Sequence, residues 1–257
     1  MTFAHISIIN EQMKVGCTAP LRAVTDDGRD VILKTFNNCE GNRILFNEWV
    51  AYQLAVKIDL PIPIAFWGTI DKNTQLSGMI DQSKLGICFC SSLLRKATPI
   101  LPTVVKLITN IDSIAPVILF DHLIYNADRN PGNLLMDMLN RRFVVFDHSH
   151  VFAETAEWSR YSLNEINDID MATDYSIMRE NACTYNMFFQ HKSKNVLGFR
   201  DIVESKFCLF NRSDIHDIIY GTPIEVRPSL DDCEALEDFL VKRTRHCMDF
   251  CQAILDC

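Results

Sequence analysis

Apolar and polar positions alternate through much of the first third of the chain and then give way to helical spacing. Leu21–Val24 and Arg29–Phe36 flank Thr25-Asp26-Asp27-Gly28, which predicts a β-hairpin. On its second strand Ile32 and Lys34 share one face while Val31 and Leu33 take the other. Arg43–Ile58 then carries apolar residues at Ile44, Leu45, Trp49, Val50, Leu54 and Ile58, a broad helical face. Asp59-Leu60-Pro61-Ile62-Pro63 stops that helix, because proline donates no N–H and restricts its neighbour. Ile64–Ile70 and Gly86–Cys90 read as strands around the turn-rich Asp71–Ser77.

The pattern changes near residue 92. Thr103–Ile111 and Pro116–Ala127 predict helices, the second apolar nearly all round and therefore buried. A polar loop, Asp128–Asn133, leads into a hairpin of Leu134–Asp137 and Arg142–Asp147. Helices are predicted over Ala172–His191, Arg200–Phe210, Ser213–Tyr220 and Asp231–Leu255, with Ser149–Tyr175 left as a mobile-looking segment. Strands first and helices afterwards predict an α+β protein of two lobes. The expected division is a β-rich N-lobe over 1–92 and a mostly helical C-lobe over 93–257.

Composition narrows the function classes. The chain is 48% hydrophobic and 23% charged, which excludes disorder and fibrous repeats. A formal charge of −8 gives no bulk attraction to a polyanion, so direct DNA binding is not expected. No stretch approaches the roughly 18 apolar residues of a membrane span, so no membrane partner is expected. Met1–Lys14 lacks the pattern of a secretory signal, and the expected location is the cytoplasm. Ten scattered cysteines without a C-x-x-C pair predict reduced, mostly buried thiols rather than zinc knuckles.

Four features carry chemistry, and their order matters. Lys34 lies on the hairpin's second strand; Glu48 lies inside the following helix; Asp128-Arg129-Asn130-Pro131-Gly132-Asn133 follows a buried helix; Asp147 ends a strand. Phosphoryl transfer from a nucleotide relies on positioning and charge stabilisation, which calls for these residue types. A lysine at the mouth of a sheet holds phosphates as a point charge, and a carboxylate such as Glu48 keeps it aimed. Asp147 and Asn133 supply the oxygens that Mg²⁺ prefers, and Asp128 can take the proton of an acceptor hydroxyl. Taken singly, each residue also fits a surface strand, a solvated helix or a cap. Their conjunction on these elements argues for the chemical reading.

These residues, with Gly16–Pro20, Asn47-Glu48, Leu60–Pro63, Gly86–Ser91, Asn126–Asn133 and Phe146-Asp147-His148, resemble the HipA-like branch of the protein-kinase-like superfamily. The resemblance implies an ATP- and Mg²⁺-dependent serine/threonine kinase with a two-lobed fold. Asp128 would be the catalytic base, Lys34 would bind ATP phosphates and Glu48 would pair with it. Asn133 and Asp147 would hold the metal. Gly16, Cys17, Thr18 and Ala19 would cover the phosphates, and Cys90 and Ser91 would meet the adenine. Toxins of this group phosphorylate aminoacyl-tRNA synthetases and answer to a DNA-binding antitoxin, so a protein acceptor of that class and an antitoxin partner are implied.

The chain departs from kinase patterns in three places. Gly16 stands alone where a glycine-rich loop is usual, Asn126-Ala127 precedes Asp128 without a histidine, and His148-Ser149 follows Asp147. Thr18, in the presumed phosphate loop, is a candidate for autophosphorylation, which would add about two negative charges beside the nucleotide. Two rival readings stay open. One is a phosphoinositide-type lipid kinase, disfavoured by the absence of a basic membrane-facing cluster. The other is a nucleotide-binding pseudokinase that acts by docking a partner.

Overall fold

The alternating strands of the first third find their second face in a sheet that closes on itself. The computed structural model describes residues 3–13, 18–76 and 82–257. Its first elements are β1 (Ala4–Gln12), β2 (Leu21–Thr25), β3 (Asp30–Thr35), α1 (Arg43–Lys57), β4 (Ala65–Ile70), β5 (Gln75–Leu76) and β6 (Gly86–Ser92). Pairing runs β1-β2-β3-β6-β4 and returns to β1, with β5 alongside. Ala4 and His5 of β1 pair in parallel with Gly68 and Thr69, while Ile6 to Gln12 pair with β2. Ile6, Ile9, Ala23, Val31, Leu33, Cys88 and Cys90 fill the interior. Gly68 leaves room for the two thiols; a Cβ there would lie 2.7 Å from the Cys90 Sγ.

β1 has no counterpart among the predicted strands. Register shifts between Ile6 and Ile8 and between Ile9 and Glu11 break its two-residue period, which hides it from a test for alternation.

α1 buries both sides. Ile44 and Leu45 pack under Trp67 and Phe89 of the sheet, whereas Phe46, Val50 and Leu54 join the helical core. That double burial explains the breadth of its apolar face.

The second half begins with β7 (Ala97–Pro99) and α2 (Pro102–Val105), then α3 (Ile114–Leu123), β8 (Leu134–Asp137) and β9 (Arg142–Val145). Strands β7, β8 and β9 form a small sheet. Next come α4 (Arg160–Asn167), α5 (Ser176–Glu180), α6 (Ala182–Phe189) and α7 (Phe199–Lys206). The chain closes with α8 (Arg212–Tyr220), α9 (Leu230–Arg245) and α10 (Cys247–Asp256). Every residue of α3 is buried, as its apolar sequence predicts. Among the described residues no helix is long and apolar enough to cross a membrane.

Several predicted boundaries need correction. The helix expected over Thr103–Ile111 is the single turn of α2. Thr109 gives its N–H to the Arg141 carbonyl, and Asn110 exchanges two hydrogen bonds with Phe143, so these groups serve the hairpin instead. The helix expected over Ala172–His191 breaks at Asn181, whose side chain is claimed by the loop of Asp128. Arg200–Phe210 is α7 followed by a 3₁₀ turn, and Asp231–Leu255 bends at His246 into α9 and α10.

Ser149–Tyr175 is anchored, not loose. Val151, Phe152 and Trp158 are buried, and α4 starts where the Ser159 N–H meets the Ser162 Oγ.

Arg243 reaches from α9 to finish α3. Its guanidinium is fully enclosed, donates to the carbonyls of His122 and Leu123, and sits among Tyr125, Phe239 and Phe250. The last carbonyls of a helix lack intrahelical partners, and this buried cation supplies one.

His5 fastens the barrel where it closes, 3.0 Å from Asp26 on one side and 3.0 Å from Asp71 on the other. Asp26 first and Asp71 second raise its pKa above the ordinary 6.5. A raised folded-state value contributes stability that is complete below pH 6.5 and fades as pH climbs through the folded value. His5→Asn is expected to flatten that stretch of a plot of urea midpoint against pH. An identical curve for the variant would show that the clamp does not act.

Candidate functional site

Lys34 points from β3 into the cleft between sheet and helices, on the same face as Ile32. It is buried, and its ammonium lies 2.5 Å from the Glu48 Oε1 and 2.6 Å from the Asp147 Oδ1. Burial alone would depress that ammonium's pKa, but Asp147 and Glu48 outweigh it and hold the value above the ordinary range. Asp147 is driven well below the usual carboxylate range: burial opposes the shift, while Lys34 and the Ser149 hydroxyl enforce it. Glu48, more deeply enclosed, is pushed up by burial and by the neighbouring Asp147 charge against the pull of Lys34. With both carboxylates ionised, the trio carries one net negative charge.

Asp147 occupies the left-handed region at φ +58°, which short polar side chains tolerate best among non-glycine residues. Its Oδ1 accepts from the Ser149 Oγ at 2.7 Å, which holds the turn. Asn47, one residue before Glu48, secures the same turn from the other side. Its amide nitrogen donates to the carbonyls of Ser149 and Ala156, and its oxygen accepts from the Trp158 indole.

The loop from Asp128 to Asn133 hangs on Arg129. This guanidinium is fully buried and donates to Asp121 of α3, to the carbonyls of Asn133 and Phe146, and to the His148 Nε2. A guanidinium only donates, so the His148 Nε2 accepts and the ring is neutral with its proton on Nδ1. Burial first, and then Arg129, keep the His148 pKa well below 6.5. Asp121 also accepts from Asn126 and from the Tyr185 hydroxyl, so its buried charge is fully engaged.

Asp128 itself is half exposed. Its Oδ1 accepts from the Asn130 amide at 2.9 Å and its Oδ2 from the Asn133 amide at 3.1 Å. Asn133 thereby commits its nitrogen to Asp128 and keeps its oxygen available to a cation. His150 lies beside them, with its Nδ1 3.8 Å from the Asp128 Oδ2.

Lys34, Glu48 and Asp147 line one cleft, with Ile32, Ala65, Phe89, Ser91 and Phe146 among its walls. Asp128 and His150 open onto a neighbouring groove. The turn from Asp147 to His150 borders both, so Lys34 and Asp147 face one groove and Asp128 the other.

Ser91 borders the cleft, whereas Cys90 is not among its walls. Its thiol faces the barrel interior, 3.7 Å from the Cys88 Sγ, because neighbouring strand residues point to opposite faces. Gly16 and Cys17 lie outside the described residues. Thr18 is buried with its hydroxyl lacking a partner among the described residues, and neither Thr18 nor Ala19 lines the cleft, whereas Pro20 does. A phosphate on Thr18 therefore requires that segment to open.

The residues that the sequence reading passed over are Asp121, Tyr185, Asn181 and His150. Asp121 and Tyr185 sit on helices of apolar pattern, where a buried polar residue was the available signal.

The family described as HipA-like kinase matches residues 6–195. No curated protein matches the chain. Among solved structures, the Helicobacter pylori proinflammatory kinase CtkA is similar over 99% of both chains, with a TM-score of 0.62 at 14% identity. A Golgi casein kinase with Mn/ADP bound is similar over 98% of this chain and 74% of its own, with a TM-score of 0.54 at 10% identity. Both likenesses concern the fold, which is the two-lobed kinase arrangement.

Arg129→Leu should leave Asp121 enclosed with hydrogen bonds from Asn126 and Tyr185 but no cationic partner, a loss of about 3–5 kcal/mol. The double variant Arg129→Leu/Asp121→Leu should recover more than half of it. Equal urea midpoints for the single variant and the parent would refute the role given to this pair.

Proposed function

The chain belongs to the HipA-like kinase family, and from that premise we propose that it moves the terminal phosphoryl group of ATP to a serine or threonine hydroxyl of a protein, with a divalent cation present. The observation that carries this reading is the buried Lys34 ammonium held between Glu48 and Asp147 at the cleft floor.

The site suits a metal-bound nucleotide. Two carboxylates against one ammonium leave an excess negative charge for a divalent cation to neutralise. No group of three or more acidic, histidine or cysteine side chains stands ready for a metal among the described residues. That suits Mg²⁺, which takes one or two carboxylates and completes its shell with phosphates and water. Asp147 and the Asn133 amide oxygen would hold it, and the cation supplies charge neutralisation to the phosphates when bound.

Each side chain then has a role that its surroundings allow. Lys34 can turn from Asp147 toward phosphate oxygens while Glu48 keeps the ammonium aimed. Ile32, Ala65 and Phe89 offer apolar walls to a base, and Ser91 lies at the same wall. Asp128, across the turn and accessible from the second groove, takes the acceptor's proton. Asn130 and Asn133 fix its carboxylate so that little reorientation is needed at reaction.

The family resemblance proposes aminoacyl-tRNA synthetases as the first acceptors to try and a DNA-binding antitoxin as a regulator. Incubation with γ-labelled ATP, Mg²⁺ and these acceptors is expected to place label on serine or threonine. Asp128→Ala and Asp147→Ala should each reduce transfer by about 10²-fold or more. Asp147→Ala should also weaken nucleotide binding in Mg²⁺ but leave binding in EDTA unchanged. Label appearing on phosphoinositides alone, or full transfer by both variants, would overturn the proposal.

A further inference from the structure

We propose that the acceptor served by Asp128 is a serine or threonine flanked by lysine or arginine, held in a groove that runs past Tyr125 and Glu154 to Glu165; this rests on the phosphoryl-transfer reading above. The groove consists of two depressions with a common border. Asp128 and Glu180 line the first, Glu165 and Ile169 line the second, and Tyr125 and Glu154 line both.

Tyr125 offers a polar group to whatever lies there. It is only 5% exposed, and its hydroxyl makes no hydrogen bond among the described residues. A tyrosine hydroxyl so enclosed ordinarily takes a partner. The groove is the side open to it, so a main-chain carbonyl or N–H of an extended acceptor can fill that place. The residue is also held still. The Arg243 guanidinium lies 5.4 Å from the ring centroid, the Phe152 N–H donates to the Ile124 carbonyl at 2.7 Å, and the Asn126 N–H donates to the Asp121 carbonyl at 2.8 Å. Its backbone is left-handed at φ +49°, which a bulky side chain keeps only where its surroundings enforce it.

Charge points to the acceptor's chemistry independently. Glu154 and Glu165 are exposed and form no ion pair among the described residues. Glu157 differs, since it meets Arg43 at 3.3 Å. Arg179 is the one guanidinium or ammonium among the described residues that line the two depressions, and it stands 3.9 Å from Glu180. Carboxylates along one concave surface concentrate a negative potential, which draws a cationic chain and repels an acidic one. Ile169, 43% exposed, adds an apolar surface beside Glu165. Lysine and arginine carry an apolar stem under a charged head, so this pairing suits them at both ends. The segment bearing Glu154 is fixed, because Asn47 donates to the carbonyls of Ser149 and Ala156 on either side of it.

Peptide sets with serine as acceptor and Arg, Ala or Glu fixed at each neighbouring position in turn test the groove on the full chain. With γ-labelled ATP and Mg²⁺, the best Arg-fixed set is expected to exceed its Glu-fixed counterpart at least about 10-fold in kcat/KM. Binding is read separately, by the anisotropy of a fluorescent form of that Arg peptide with alanine in place of the serine. The double variant Glu154→Gln/Glu165→Gln should weaken this binding about 5- to 10-fold while ATP affinity stays within about 2-fold of the parent's. Glu154→Lys/Glu165→Lys should turn the preference toward the Glu-fixed peptide. Tyr125→Phe, which keeps the ring, should weaken binding of Arg- and Ala-fixed peptides alike by about 3-fold, and parental binding would overturn the role given to that hydroxyl. Equal binding of Arg- and Glu-fixed peptides by the parent, or a preference that both double variants retain, overturns the proposal. Arg-selective binding without any transfer of label would instead refute the phosphoryl-transfer reading while upholding the groove's selectivity.

Discussion

The arrangement of the site depends on one buried cation. Arg129 has no access to water, so each N–H it carries must find a protein acceptor or incur a desolvation penalty. The acceptors come from three places: the Asp121 carboxylate on α3, the Asn133 carbonyl at the end of the loop, and Phe146 with His148 around the turn. Satisfying them together leaves the loop and the turn one relative position. Asp128, Asn133 and Asp147 each adjoin a residue or group that Arg129 holds. The three candidate site side chains are thus placed by a residue that is not itself among them.

A second constraint joins the halves. Asn47 and Glu48 leave adjacent positions of α1 and reach the same segment of the helical half, one through hydrogen bonds to Ser149 and Ala156, the other through Lys34 to Asp147. A slide of α1 would break both sets. Because α1 is packed on both sides, the electrostatic contact in the cleft is backed by apolar burial and does not stand alone. An exposed ion pair would contribute little, whereas this one is enclosed and shared by three groups.

What the sequence disclosed depended on whether the relevant physics was local. Lys34 could be placed facing Ile32's side because a strand alternates, and Glu48 stood out because Ile44, Ala51 and Tyr52 surround it at helical spacing. The same alternation turns the Cys90 thiol into the barrel and gives the cleft face to its neighbour Ser91. β1 was hidden by its bulges. Thr109 and Asn110 look helical until the hairpin edge, 32 and 33 residues further on, claims their polar groups. Arg129 was visible as part of a motif, but its hub role was not, because Asp121, His148 and Phe146 reach it only through tertiary structure. The Ser149–Tyr175 stretch looked loose for want of periodicity, yet it is pinned by Asn47 and by single buried aromatics.

The wall between the two grooves carries a chemical meaning of its own. In-line displacement needs the leaving and attacking oxygens on opposite sides of phosphorus, so a site built for it should present two approaches that meet at one edge. The turn from Asp147 to His150 borders both grooves: Asp147 faces the lysine side and His150 the Asp128 side, with His148 and Ser149 buried between them. The left-handed Asp147, tied by Ser149, bends the backbone at this turn. The strain at φ +58° is held in place by Arg129 on one side and Asn47 on the other. Backbone conformation, buried charge and groove placement are therefore consequences of one another at this turn.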